Sequence, residues 1–478
     1  MEAAPTLLAL SLVTVALVGC IGAEDTGPTD ALPVETPELG HLDVFHDHTD
    51  ATLHEGSENM TFVSWSTLGI ELGTNGFANF VIHKQGDEEL AAVAIDGDTD
   101  GGFVLADISD PENVEVLGSY IVNGNSFQEV RISPDGRYAI LNVQDIPTAQ
   151  SASDCPVCIH IVDITDRENP ERVGLKPVEV LGTHNFHFEE IDGELYVLYV
   201  GQPLYLGTAP TAKNEPAGNA IHIARFVETP DGPKIVDVAE YRHQQATTDD
   251  QRSFPHDVLA EPHPLTDQVI MYVSHWDGGA ITVDITDPMN PVELAVHDDP
   301  APSQARATHW FSPELTPRGD KVYAYSAPEI GQLDSGSGVV RVYDATDPAS
   351  LEQVGTWTLP GNVTIPGQYL MSPHTTMPHP ELPLLAVSHY HAGVWILDTS
   401  DPTAPKHVGY YSPVGEPDAP YTGDYWWKKP NFDPEGFIPN VYQARWEPTD
   451  GILWVTDRST GFYALSYDGP VPGAASAS

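Results

Sequence analysis

The residues Asp284-Ile285-Thr286-Asp287-Pro288 stand between two runs of alternating apolar side chains, Ile281-Thr282-Val283 before and Val292-Glu293-Leu294-Ala295-Val296 after. Alternation with a period of two marks a half-buried strand. Asp bonds its own downstream backbone, and Pro presets φ while ending a ladder, so the stretch reads as a turn joining two strands. The same pattern recurs at Asp107-Ile108-Ser109-Asp110-Pro111, Asp163-Ile164-Thr165-Asp166, Asp344-Ala345-Thr346-Asp347-Pro348 and Asp398-Thr399-Ser400-Asp401-Pro402.

Upstream of each copy lies a hairpin, plainest at Arg131-Ile132-Ser133-Pro134-Asp135-Gly136-Arg137-Tyr138-Ala139-Ile140. A hairpin, the signature and an outer strand give four strands in about 45 to 60 residues, the size of one propeller blade. The double gap between the second and third copies holds a degenerate repeat, from His222 to Tyr241. The last hairpin, Ile452 to Leu465, has no outer strand after it. Met60 to Ser66 is expected to supply that strand and close the ring, removing an open edge. Blade starts then fall near Phe77, Phe127, His184, Phe254, His309, His374 and Val441. The fold expected is all-β, a seven-bladed β-propeller closed by an N-terminal strand over residues 58–469, with a tail at 470–478.

The charge is extreme: 70 acidic residues against 20 Lys+Arg, a formal net charge of −50. The carboxylates are dispersed, so they hydrate a surface and do not form a tail. Such a surface resembles those of proteins from halophilic archaea. It excludes nucleic acid as a partner, because phosphate binding needs a basic patch. Residues 1–19 read as a lipoprotein-type signal peptide: an apolar run from Leu7 to Val18 ends in Leu17-Val18-Gly19-Cys20. Cys20 would carry the lipid and place the chain on the outer side of the cell membrane, held by that anchor alone. The start, Met1-Glu2-Ala3-Ala4, departs from the pattern by carrying no Lys or Arg. Residues 20–57 form an acidic arm with His41, His46, His48 and His54, read either as a metal-scavenging arm or as a solvated loop.

The repeats resemble those of LVIVD-repeat propellers, a group named for its strand motif and largely without assigned activity. A second resemblance is local. Pro255-His256-Asp257-Val258, Met271-Tyr272-Val273-Ser274-His275-Trp276 and the Asp284 signature are similar to the selenium-binding protein and methanethiol oxidase family. That likeness covers about one blade and implies metal-dependent sulfur chemistry for some members.

Blade alignment singles out histidines. Matching Ser274-His275-Trp276-Asp277-Gly278 to Ser388-His389-Tyr390-His391-Ala392 and reading back along the innermost strands gives His187, His256, His309 and His374 in consecutive blades. Glu129 stands in the blade before them. Innermost strands line the channel of a propeller, so these imidazoles are expected to converge with Glu129 on a transition metal, Cu, Fe or Zn. His184, His275, His389 and His391 are expected around the same rim. Four His with a nearby Glu resembles the arrangement in carotenoid oxygenases, without a sequence match to them. The competing reading is a set of polar channel residues inherited by duplication.

Lesser signals follow. Cys155 and Cys158 form a lone Cys-x-x-Cys pair, read as a disulfide or as a reduced pair able to hold a soft metal. Asp96, Asp98 and Asp100 match the first half of a calcium loop, but the later bidentate Glu is missing. No Gly-x-Ser-x-Gly, phosphate-cradling loop or His-Glu-x-x-His occurs. The expected function is a binding or interaction scaffold for a small molecule or surface protein, with a metal-dependent oxidoreductase as the alternative.

Overall fold

In the computed structural model the Asp284 signature is the turn that the sequence describes. The Thr286 amide donates to Asp284 Oδ1 at 2.9 Å, and the Met289 amide donates to Asp287 Oδ1 at 3.1 Å. Ile285 is fully buried, and its amide bonds the Val269 carbonyl at 2.9 Å. Thr286 Oγ1 accepts from the Val269 amide at 3.0 Å, latching the turn to the start of the second strand. Each residue of the motif therefore has a bond or a packing role, which is why it recurs.

The structure describes residues 57–472, apart from 71–74, 98–99, 124–128, 143–157, 179–182, 202–219, 244–254, 277, 298–307, 330–338, 361–371, 391, 413–439, 448–450 and 459. The described strands form seven four-stranded antiparallel sheets. In chain order, blade 1 spans 75–123, blade 2 130–177, blade 3 183–241, blade 4 255–297, blade 5 310–357 and blade 6 375–411. Blade 7 spans 441–467 and takes Met60–Ser66 as its outer strand, with Met60 opposite Tyr467 and Ser66 opposite Phe462. The first strand of every blade touches the first strands of both neighbours, so the ring is closed around an axis. Blade 3 is the degenerate repeat: Ile221–Thr229 and Gly232–Tyr241 pair across a Pro230-Asp231 turn without the Asp-Ile-Thr-Asp-Pro signature.

The signature also docks one blade on the next. Thr282 Oγ1 of blade 4 donates to the Pro348 carbonyl of blade 5 at 2.6 Å, and Ser64 Oγ donates to the Pro111 carbonyl at 2.5 Å. Where the outer strand carries a glycine, the turn closes directly on its Cα. A Cβ at Gly355 would collide with the Pro402 carbonyl oxygen, and one at Gly118 with that of Arg167. Apolar residues of adjacent sheets interleave between blades; one such core joins Leu198, Ile223, Val258, Met271, Val273 and Ile285.

Candidate metal centre

The innermost strands begin with a repeated irregularity. Pairing shifts by one residue between Phe77 and Phe80, Thr183 and Phe186, Pro255 and Asp257, and Val441 and Gln443. A bulge of this kind re-aims a side chain that would otherwise follow the pleat. Register puts Ala78, His184, His256, His309, His374 and Tyr442 at one equivalent position; the blade 2 counterpart, Gln128, lies outside the described residues.

Neighbouring rings at this position touch. Centroids are 4.0 Å apart for His184–His256, 4.0 Å for His256–His309, 4.3 Å for His309–His374 and 3.9 Å for His374–Tyr442. The hydrogen bonding repeats as well. His309 Nδ1 donates to the His374 carbonyl at 2.9 Å, and His374 Nδ1 donates to the Tyr442 carbonyl at 2.5 Å. A neutral imidazole that donates through Nδ1 keeps its lone pair on Nε2. His184 Nε2 lies 2.5 Å from His256 Nε2. Burial holds the imidazoles neutral: it pushes His184 down to about 3 and His256 and His374 well below the ordinary value, and lowers His309. A proton on His309 would add to the effect of burial on the other three.

A second tier stands at the end of each blade's second strand, where Trp276, Glu329, Tyr390 and Arg458 are equivalent in register. Each lies over the ring of its own blade. Trp276 is 4.8 Å from His256 and Tyr390 5.0 Å from His374 between centroids; Arg458 lies 4.6 Å above the Tyr442 ring. Glu329 Oε2 is 3.6 Å from His309 Nε2, while its Oε1 accepts from the Tyr390 hydroxyl at 2.5 Å. His256, His309 and Glu329 offer ligand atoms that all lie within 4.8 Å of one another. Two imidazole nitrogens and a carboxylate oxygen suit Zn, Cu or Fe.

Two residues expected in this cluster lie elsewhere. His187 is not at the His256 position; His184 is, because the bulge between Thr183 and Phe186 carries the strand past it. His187 Nε2 instead lies 3.7 Å from Glu189, and burial pushes its pKa down to about 4. Glu129 sits one position further into the channel, equivalent to Asn79, Asn185, Asp257 and Gln443. It accepts from Asn79 and is 2.5 Å from Arg131 Nη1, so its carboxylate is held by protein groups. Burial raises the pKa of Glu129 and, more strongly, of Asp257, with Arg131 opposing both. Arg131 and Arg445 face these acids together with Glu261, which gives a buried layer of opposite charges below the histidines.

The rim residues also divide. His275 and His389 occupy the position just before Trp276 and Tyr390, so alternation turns their rings outward, His275 toward His243 at 5.2 Å and His389 toward Trp357 at 6.5 Å. Asp96 is fully buried and ion-paired with Arg458, which removes it from the calcium pattern. Cys158 is buried in its strand and disulfide-bonded. Cys20, His41, His46, His48, His54, Asp98, Cys155 and His391 lie outside the described residues, as does the side chain of Asp100. Glu329, Trp276, Tyr390 and Arg458 were not singled out in the sequence. The signal was there for Glu329: Ala327-Pro328-Glu329 aligns with Ser274-His275-Trp276 once the strands are in register.

The LVIVD repeat family matches residues 96–122 and 271–299, the second stretch spanning the Asp284 signature. The chain is a seven-bladed β-propeller that carries LVIVD repeats. No curated protein matches it. Both matched stretches contain the third strand, the turn and the outer strand of a blade, the part that docks on the neighbouring blade, and the second also takes in most of the second strand Val269–His275. The match thus concerns the scaffold, and the mouth residues His256, His309 and Glu329 lie outside the matched stretches or in other blades.

Proposed function

We propose that the LVIVD-repeat propeller is a binding scaffold whose mouth holds a transition-metal ion between His256, His309 and Glu329. The supporting observation is that His256, His309 and Glu329 bring ligand atoms within 4.8 Å of one another, while the bond from His309 Nδ1 to the His374 carbonyl leaves His309 Nε2 as a lone-pair atom 3.6 Å from the carboxylate. His184 and His374 flank the set and would complete or orient it. When bound, the ion would act as a Lewis acid toward a small molecule or a side chain of a partner entering the mouth. Trp276, Tyr390 and Arg458 would meet that ligand beside the ion. The oxidoreductase alternative is not favoured, since the family match carries a repeat and no activity.

The leader places this scaffold on the outer face of the membrane through a lipid on Cys20, a reading that rests on the sequence around Gly19-Cys20. No helix among the described residues is long and apolar enough to cross a membrane. The metal reading is tested by elemental analysis of the full chain, purified without chelator, beside His309→Ala and Glu329→Gln. Stoichiometric Zn, Cu or Fe in the wild type, lost in His309→Ala, is the expected result. Equal metal in all three samples, or none in any, contradicts the reading.

A further inference from the structure

Tyr390 has φ of +36°, inside the left-handed region that a bulky side chain rarely adopts. Its register partners are Trp276, Glu329 and Arg458, none of which has positive φ among the described residues. Strain of this kind persists only where surrounding bonds over-determine the conformation. Here the Tyr390 carbonyl accepts from the Val441 amide at 3.0 Å and from the Gly393 amide at 3.2 Å, and the His389 amide bonds the Gly393 carbonyl at 2.8 Å. The ring packs at 5.0 Å from His374 and 6.2 Å from Tyr442, and the side chain is 4% exposed. The product of these constraints is one polar contact, the hydroxyl donating 2.5 Å to Glu329 Oε1.

We infer that Tyr390 is a positioning residue for Glu329: it occupies Oε1, so that Oε2 is presented to the ion as a single, monodentate ligand. The inference rests on the metal reading above and adds to it how the carboxylate is held. Among the described residues the other close contact of Glu329 is His309 Nε2, which faces the oxygen that would bind the ion. The donor comes from blade 6 and the carboxylate from blade 5, so the relation of those two blades sets where the ligand oxygen stands. A hydroxyl that holds a ligating carboxylate is the kind of outer contact whose loss costs about 10 to 100-fold in metal affinity.

Co(II) titration of the full chain tests this, with the visible ligand-field bands read alongside the affinity. The variants are Tyr390→Phe, Glu329→Gln and the double variant. Tyr390→Phe keeps the ring packing on His374 and Tyr442, and a thermal melt of each metal-free sample reports the fold. The wild type is expected to bind Co(II) with a distinct band pattern. Tyr390→Phe is expected to bind about 10 to 100-fold more weakly with an altered pattern. In the Glu329→Gln background the same change is expected to make less than about a twofold difference, because the residue it acts through is already altered. Wild-type affinity and spectrum in Tyr390→Phe overturn the inference and leave the metal reading standing. An equal loss in both backgrounds also overturns it, since a structural role would act without Glu329. A wild type that binds no Co(II) ends the metal reading and this inference together.

Discussion

At the scale of single residues, burial decides what each group in the channel can do. The imidazoles at the mouth stay neutral because desolvation outweighs every favourable charge near them, and a neutral imidazole is the form that ligates. Deeper in the channel the same physics acts on acids. Burial pushes Glu261 from 4.5 up to about 7, with the neighbouring Glu189 adding to it, and burial likewise raises Glu189 to about 7. A carboxyl whose folded pKa is raised binds its proton more tightly in the folded chain. Its contribution is therefore fully present below the unfolded value and is lost as pH rises from about 4.5 through 7. This loss opposes the buried imidazoles, whose lowered pKa values add stability as pH rises toward the ordinary histidine value, so the share of Glu261 is read as a difference between wild type and variant. In denaturant titrations at constant salt, the change in unfolding free energy from pH 5 to pH 8 should be more positive in Glu261→Gln than in the wild type, by about 1 to 3 kcal/mol. An unchanged slope in the variant would show that the pH dependence arises elsewhere.

The element scale is where the sequence was most legible. Strand, turn and strand are local, and the two aspartates of Asp-Ile-Thr-Asp-Pro each accept from an amide two residues on, so the blade repeat and the closing strand could be read without knowing the fold. Registers of the innermost strands were harder. A bulge leaves no mark in composition, and it separated His184 from His187 where alignment alone favoured the wrong one. The second tier was harder still, because Trp276, Glu329, Tyr390 and Arg458 share a position and no chemistry. The docking of turns on neighbouring blades yields a prediction here. Gly355→Ala should destabilise the propeller by about 1 to 3 kcal/mol, since the added methyl meets the backbone carbonyl of Pro402, which cannot rotate away. Gly319→Ala is a useful contrast in the same blade: its φ of +70° is strained for alanine, but no atom lies within 4 Å of the added carbon. A chemical melt in which Gly355→Ala matches the wild type would contradict the docking role.

For the whole molecule, ring closure and charge set the terms of stability. Met60–Ser66 pairs along the last strand of blade 7, and Trp65 Nε1 donates to the Thr460 carbonyl at 2.8 Å. Removing this strand exposes the edge Gly461–Tyr467 and should turn a single cooperative melt into a broader one, with increased self-association in light scattering. A net charge of −50 adds self-repulsion that salt screens. Melting temperature should rise with NaCl from 0.1 to about 2 M, and a flat dependence would show that the acidic surface is spaced too widely to matter.

The central claim is that consecutive blades deliver their imidazoles to one ion. Diffraction from crystals of the full chain, measured above and below the absorption edge of the metal found by elemental analysis, addresses it directly. The account predicts one anomalous peak at the mouth, about 2.0 to 2.2 Å from Nε2 of His256, Nε2 of His309 and Oε2 of Glu329. A peak at Glu129 and His187, or no peak in crystals whose solution sample carries stoichiometric metal, would contradict it.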